Sequence, residues 1–148
     1  VVTVLYADTS AVVRAHLPNE PDHEELASLL FEGEHRVITS ELTRIEFASA
    51  MASARSAGRI RYARPALARF DADAGSGVLT VIPLVPQVIM PAAYRLAADN
   101  PTLRTLDAMH LAVALHDTQG LTGGAPVTLV TRDQRQADAA KAHGLEVW

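Results

Sequence analysis

The sequence predicts an α/β fold: a mostly parallel sheet with helices on both faces. Three observations carry this. Short apolar, β-branched runs alternate with longer stretches of helical periodicity along nearly the whole chain. The runs VVTVLYA, LTVI and VTLVT show little polar alternation, as expected of strands buried on both faces. The 148 residues, 49% of them hydrophobic, are enough for one domain with a substantial core, so residues 1–148 are read as a single unit without repeat or linker.

Taken in order, Val1–Ala7 reads as the first strand. Asp8-Thr9-Ser10 turns into a short helix, Ala11–Leu17, which Thr9 or Ser10 can cap and Pro18 stops. Pro21-Asp22 opens a second helix, Asp22–Glu32, ended near Gly33. Arg36–Thr39 is a short strand. A long helix, Ser40–Ala57, is stopped by Gly58; another spans Ile60–Ala74 and ends at Gly75-Ser76-Gly77. Leu79–Ile82 is the third strand. Pro86 suits the first turn of a helix reaching Ala98, which Pro91 would kink or delay. After the Asp99-Asn100-Pro101 turn, Leu106–Asp117 forms an apolar helix capped by Thr105. Thr118–Pro126 is a loop, Val127–Thr131 a strand, Asp133–Gly144 a helix and Leu145–Trp148 a closing strand.

Composition narrows the chemistry. The absence of cysteine excludes disulfides, thiolate zinc sites and cysteine nucleophiles. No apolar run is long enough to span a bilayer, and the opening strand has neither the length nor the basic start of a signal peptide, so a cytoplasmic location is expected. The net charge of −4 argues against a uniformly basic nucleic-acid binder. Its distribution is uneven, however. Glu20 to Glu34 carries acids without arginine or lysine, and Arg55 to Arg69 carries five arginines without an acid. The latter could face phosphates; both segments could equally be solvated helix faces.

Four carboxylates stand out: Asp8, Glu46, Asp107 and Asp133. Asp8 and Asp133 each follow a strand and precede a helix, where parallel sheets bind ligands and where an aspartate also serves as an N-cap. At about 100° per residue, Glu46 falls beside Leu42 and Ile45 on the inward face of its helix, where an unpaired glutamate is costly. An internal salt bridge, to Arg44 or another arginine, would also satisfy it. Asp107 opens an apolar helix, favourable toward the helix dipole, yet its neighbours Leu111 and Ala114 are apolar. His110, one turn on, is a structural histidine or a supporting partner, and Asp138 points to solvent. Brought together, such groups repel by about 4 kcal/mol per pair at ~4 Å and an effective dielectric near 20, so a cation is the natural compensation. Oxygen ligands alone select Mg²⁺ or Mn²⁺ over zinc, and the six histidines lack zinc-site spacing. Metal-assisted hydrolysis is the chemistry this implies.

The segments YADTSA around Asp8, SELTRIEF around Glu46, LRTLDAMHLA around Asp107 and LVTRD around Asp133 resemble the PIN domain, most closely the VapC-type ribonuclease toxins of bacterial toxin–antitoxin modules. The resemblance covers essentially the whole chain with the acids in order. It implies a three-layer α/β/α PIN-like fold on a central five-stranded sheet and a Mg²⁺- or Mn²⁺-dependent endoribonuclease. It further implies a homodimer, an RNA substrate and a small antitoxin protein as partner. Asp8 and Asp107 would be the core metal ligands, Glu46 and Asp133 would complete the site directly or through water, and the Ser10 and Thr131 hydroxyls would steady them. The QRQADAA that follows Asp133 lacks a second nearby acid, so a second metal would be held less well. Two other α/β classes fit poorly. A phosphoacceptor receiver needs paired acids after the first strand and a lysine after a late one, whereas Lys141, the sole lysine, lies within a predicted helix. A haloacid-type phosphatase needs an acid where Ser10 stands. The alternative from another class is a PIN-fold RNA- or protein-binding module without turnover.

Overall fold

The computed structural model describes residues 3–148; Val1 and Val2, expected to begin the first strand, lie outside them. The strands are β1 (Val4–Ala7), β2 (Arg36–Ser40), β3 (Thr80–Ile82), β4 (Val127–Val130) and β5 (Glu146–Val147). They form one five-stranded sheet in the order β3-β2-β1-β4-β5, with every pairing parallel. The helices are α1 (Thr9–His16), α2 (His23–Ala27, continued by a π-helical turn over Ser28–Glu32), α3 (Glu41–Ser56), α4 (Arg64–Ser76), α5 (Pro86–Asp99), α6 (Thr105–His116), α7 (Gln119–Thr122) and α8 (Gln134–Ala142).

The pleat of β1 divides the core. Val4 and Tyr6 join a cluster with Ile89, Leu96, Leu111 and Ala140, under α5, α6 and α8. Leu5 and Ala7 join the opposite cluster with Val12, Leu26, Phe47, Met51 and Phe70, under α1 to α4. The sheet is thus the middle layer of three, as expected. β1 is its centre: the chain moves outward to β2 and β3, then returns to the other side of β1 for β4 and β5. That reversal opens a crevice at the carboxyl ends of β1 and β4.

Several local expectations are corrected. Asp8, not Thr9 or Ser10, caps α1, its carboxylate accepting from the Ala11 N–H. Ser and Thr compete closely with Asp as caps, so the sequence alone did not separate them. Arg104, with no side-chain cap bond, precedes α6, and Thr105 is its first residue. α4 begins at Arg64 rather than Ile60, because Arg59 and Ile60 fold back onto Ala54 of α3 and Pro65 suits the first turn. It ends at Gly77, whose φ of 83° is the left-handed cap that favours glycine. α5 runs through Pro91, held by buried Ile89, Ala92, Ala93 and Leu96. The 118–126 loop contains the single turn of α7.

Candidate active site

Asp8 is 3% exposed at the carboxyl end of β1. Its Oδ1 accepts from Ser10 Oγ at 2.6 Å and the Ala11 N–H at 3.1 Å, and its Oδ2 from Thr131 Oγ1 at 2.5 Å. Ser10 Oγ in turn accepts from the Arg132 N–H, tying the β1 and β4 turns together. Burial pushes the Asp8 carboxyl above the usual carboxylate range despite the Ser10 and Thr131 bonds. Asp107 lies in the first turn of α6. Its Oδ2 is buried and, among the described residues, accepts no hydrogen bond. Burial pushes this carboxyl up too, and the negative charges of Asp133 and Asp8 add to the effect.

Asp133 caps α8 by accepting from the Arg135 and Gln136 N–H groups through Oδ1. Its Oδ2 lies 3.7 Å from an Arg104 guanidinium nitrogen, and that guanidinium also lies 4.0 Å from Asp107 Oδ2. Glu46, in the second turn of α3, is half-buried rather than fully inward. Ile45 beside it is exposed, while Thr43, Phe47 and Met51 form the buried stripe. Its partner is not Arg44, which pairs with Asp71 at 2.9 Å. Glu46 Oε1 accepts from His110 Nε2 at 2.6 Å and Thr9 Oγ1 at 2.8 Å. Burial alone would raise the Glu46 carboxyl, but the His110 bond and charge, with the Thr9 bond, outweigh it and hold the carboxyl below its usual range. Tyr6, fully buried and kept protonated by that burial, meets His110 Nδ1 at 2.8 Å. That hydrogen bond fixes the ring's orientation and presents Nε2 to Glu46.

The four acids therefore share one edge of the sheet, at the β1/β4 crevice. Among the described residues, no three acids or histidines close into a ready-made ion cage. The side chains are instead engaged singly: Asp8 by hydroxyls, Glu46 by His110, Asp133 by its helix. The donors are oxygens, burial raises two of the carboxyls, and among the described residues one of the buried carboxylate oxygens accepts no hydrogen bond. This set suits a hard divalent cation. A cavity of about 560 Å³ lies elsewhere, among His16, Phe31, Tyr62 and Arg69, and none of the four acids lines it.

Comparison with known proteins agrees with this fold. The PIN domain family model matches residues 5–142. This chain belongs to the PIN domain family. Ribonuclease VapC35 of Mycobacterium tuberculosis is 36% identical over 148 residues, covering 97% of this chain and 95% of that protein. Ribonuclease VapC46 of the same species is 33% identical, covering 99% and 97%. Among solved structures, VapBC2 of Rickettsia felis bound to a promoter DNA fragment matches with a TM-score of 0.62 at 13% identity, over 99% of this chain and 98% of that one. FitAcB of Neisseria gonorrhoeae matches at 0.59 and 15% identity, over 97% and 96%. At such identities these structures show the shared fold.

Within this PIN domain, Tyr6, Thr9 and Arg104 escaped sequence reading. The signal for Tyr6 was faint: a tyrosine in a buried strand and a histidine on an apolar helix face each need a polar partner, and here Tyr6 and His110 find each other. His110 is thus held at both ring nitrogens, by Tyr6 and by Glu46. Of the basic segment, Arg59 pairs with Glu20 and Arg69 with Asp73, and neither touches the acids. Arg55 lies nine residues beyond Glu46, about 14 Å along α3. The arginine that spans two of the acids is Arg104, and Arg135 also approaches Asp133.

Proposed function

We propose that this PIN domain is a Mg²⁺- or Mn²⁺-dependent endoribonuclease, the toxin of a toxin–antitoxin module. The observation that carries the reading is the buried, unpartnered Oδ2 of Asp107 beside the charges of Asp8 and Asp133. The relatives named ribonucleases, matched over nearly their full length, supply the substrate class, and the VapBC complexes among structural neighbours supply the expectation of an antitoxin partner. A homodimer is part of the same reading. Among the described residues, no helix is long and apolar enough to cross a membrane.

Asp8 and Asp107 would hold the cation, with Glu46 and Asp133 completing its surroundings directly or through water. When bound, such an ion offsets charge on the phosphate oxygens and makes a bound water more acidic. The water oxygen bonds to phosphorus, the bond from phosphorus to the leaving ribose oxygen breaks, and that oxygen takes a proton from solvent. Glu46, ionised at neutral pH and held by His110 and Thr9, is placed to accept the proton that the attacking water loses. Ser10 and Thr131 keep Asp8 oriented throughout.

Purified protein incubated with RNA and Mg²⁺ tests this. Cleavage that stops with chelator and with Asp107→Asn supports the reading. RNA binding without cleavage would instead make the chain a binding module without turnover.

A further inference from the structure

Arg104 occupies a position that none of the four acids explains. Its backbone is fixed. It begins α6 and accepts the Ala108 N–H at 2.9 Å through its carbonyl, and the preceding Leu103 is buried. Its side chain is not fixed: it is 66% exposed and makes no hydrogen bond among the described residues. Yet the guanidinium lies between two carboxylates, 4.0 Å from Asp107 and 3.7 Å from Asp133. Arg135 also approaches Asp133, at 3.8 Å, but only Arg104 spans both acids. It thus stands against Asp107 Oδ2, which accepts no hydrogen bond among the described residues.

We propose that Arg104 is an exchangeable counter-charge. Without an ion, its guanidinium compensates Asp107 and Asp133. When a divalent cation takes those carboxylates, Arg104 is released to hold the RNA phosphate. This rests on the reading of the site as a divalent-ion ribonuclease centre. An exposed ion pair of this length is weak, so a divalent ion readily displaces it. A guanidinium is permanently charged and carries five N–H donors in a fork that matches phosphate. Once displaced, that fork remains beside the reacting centre on an anchored backbone, where it meets the substrate's charge.

The exchange predicts opposite effects on two ligands. Titration of Mn²⁺ alone into Arg104→Gln should show affinity raised by about three- to tenfold, because a competitor is gone. RNA cleavage by the same variant should show KM raised by about tenfold, because a charge-assisted phosphate contact is gone. Arg104→Lys should return Mn²⁺ affinity toward wild type and recover part of KM. Arg95→Gln serves as a charge-matched control, since Arg95 lies near His116 at the far end of α6. It should change neither quantity. Unchanged or weaker Mn²⁺ binding in Arg104→Gln overturns the counter-charge role, and an unchanged KM overturns the hand-off to phosphate. An equal effect from Arg95→Gln reduces both to general electrostatics and overturns the proposal. Failure of the parent reading looks different: the wild-type protein itself binds no Mn²⁺, or Asp107→Asn cleaves as fast as wild type.

Discussion

Asp107 combines two properties that rarely coexist in a folded protein: a buried carboxylate oxygen without a hydrogen bond, and two acids facing it. Its carboxyl is raised above its ordinary value, so ionisation works against folding at neutral pH. Asp107→Asn should therefore raise the melting temperature of metal-free protein at pH 7 by roughly 2–4 °C, the shift that ~1 kcal/mol produces at this size. The gain should be full above the raised carboxyl's titration and vanish as pH falls toward the ordinary carboxylate range, where both side chains are neutral. Mn²⁺ should stabilise the wild type and not the variant. A melting temperature that drops at pH 7 would show that Asp107 is satisfied by something other than a cation. His110 acts through Glu46. His110→Asn should lower cleavage by about 10- to 100-fold, the usual cost of losing a support behind a metal ligand, with thermal melting showing the variant folded. Full activity would leave the histidine a packing residue. None of this pairing was legible in the sequence. Glu46 looked out of place on its helix, which was a real signal, but its partner lies 64 residues away on a different layer.

At the scale of elements, the strand–acid–helix turns were the most readable features. Apolar, β-branched runs of four to seven residues are locally sufficient to mark strands, and an acid soon after one marks the sheet's carboxyl edge. What reads poorly is which residue caps. Asp8 and Asp133 both cap helices and both stand at the crevice, so a capping role does not exclude a functional one. Asp133→Ser separates them. Serine retains the cap, so stability should stay within about 0.5 kcal/mol, whereas alanine should cost ~1 kcal/mol. Both should lower cleavage to the same low level. If Asp133→Ser cleaves at the wild-type rate, Asp133 is only a cap. The start of α4 and the π-helical turn after α2 were illegible for a different reason. Both are set by tertiary packing, of Arg59 and Ile60 on α3 and of Phe31 against His16, which outweighs local propensity.

Across the whole molecule, the order of the strands does what no single element can. Because β1 sits between β2 and β4, the turns carrying Asp8 and Asp133 come side by side although they are 125 residues apart in sequence, and α3 and α6 deliver Glu46 and Asp107 from opposite layers. Alternation of strand and helix predicted the layers; the strand order that brings the acids together is not encoded in any local run. The basic segment follows the same lesson. Its charge pattern was plain in the sequence, but its position was not, and the arginine that spans two of the acids comes instead from the start of α6. The central claim is that this convergence exists to hold a divalent cation. Anomalous diffraction from crystals soaked in Mn²⁺ tests it most directly. A bound cation gives a peak within coordination distance of Asp8 and Asp107 that disappears in Asp8→Asn; no peak at that edge, or one unchanged in Asp8→Asn, rules such a site out.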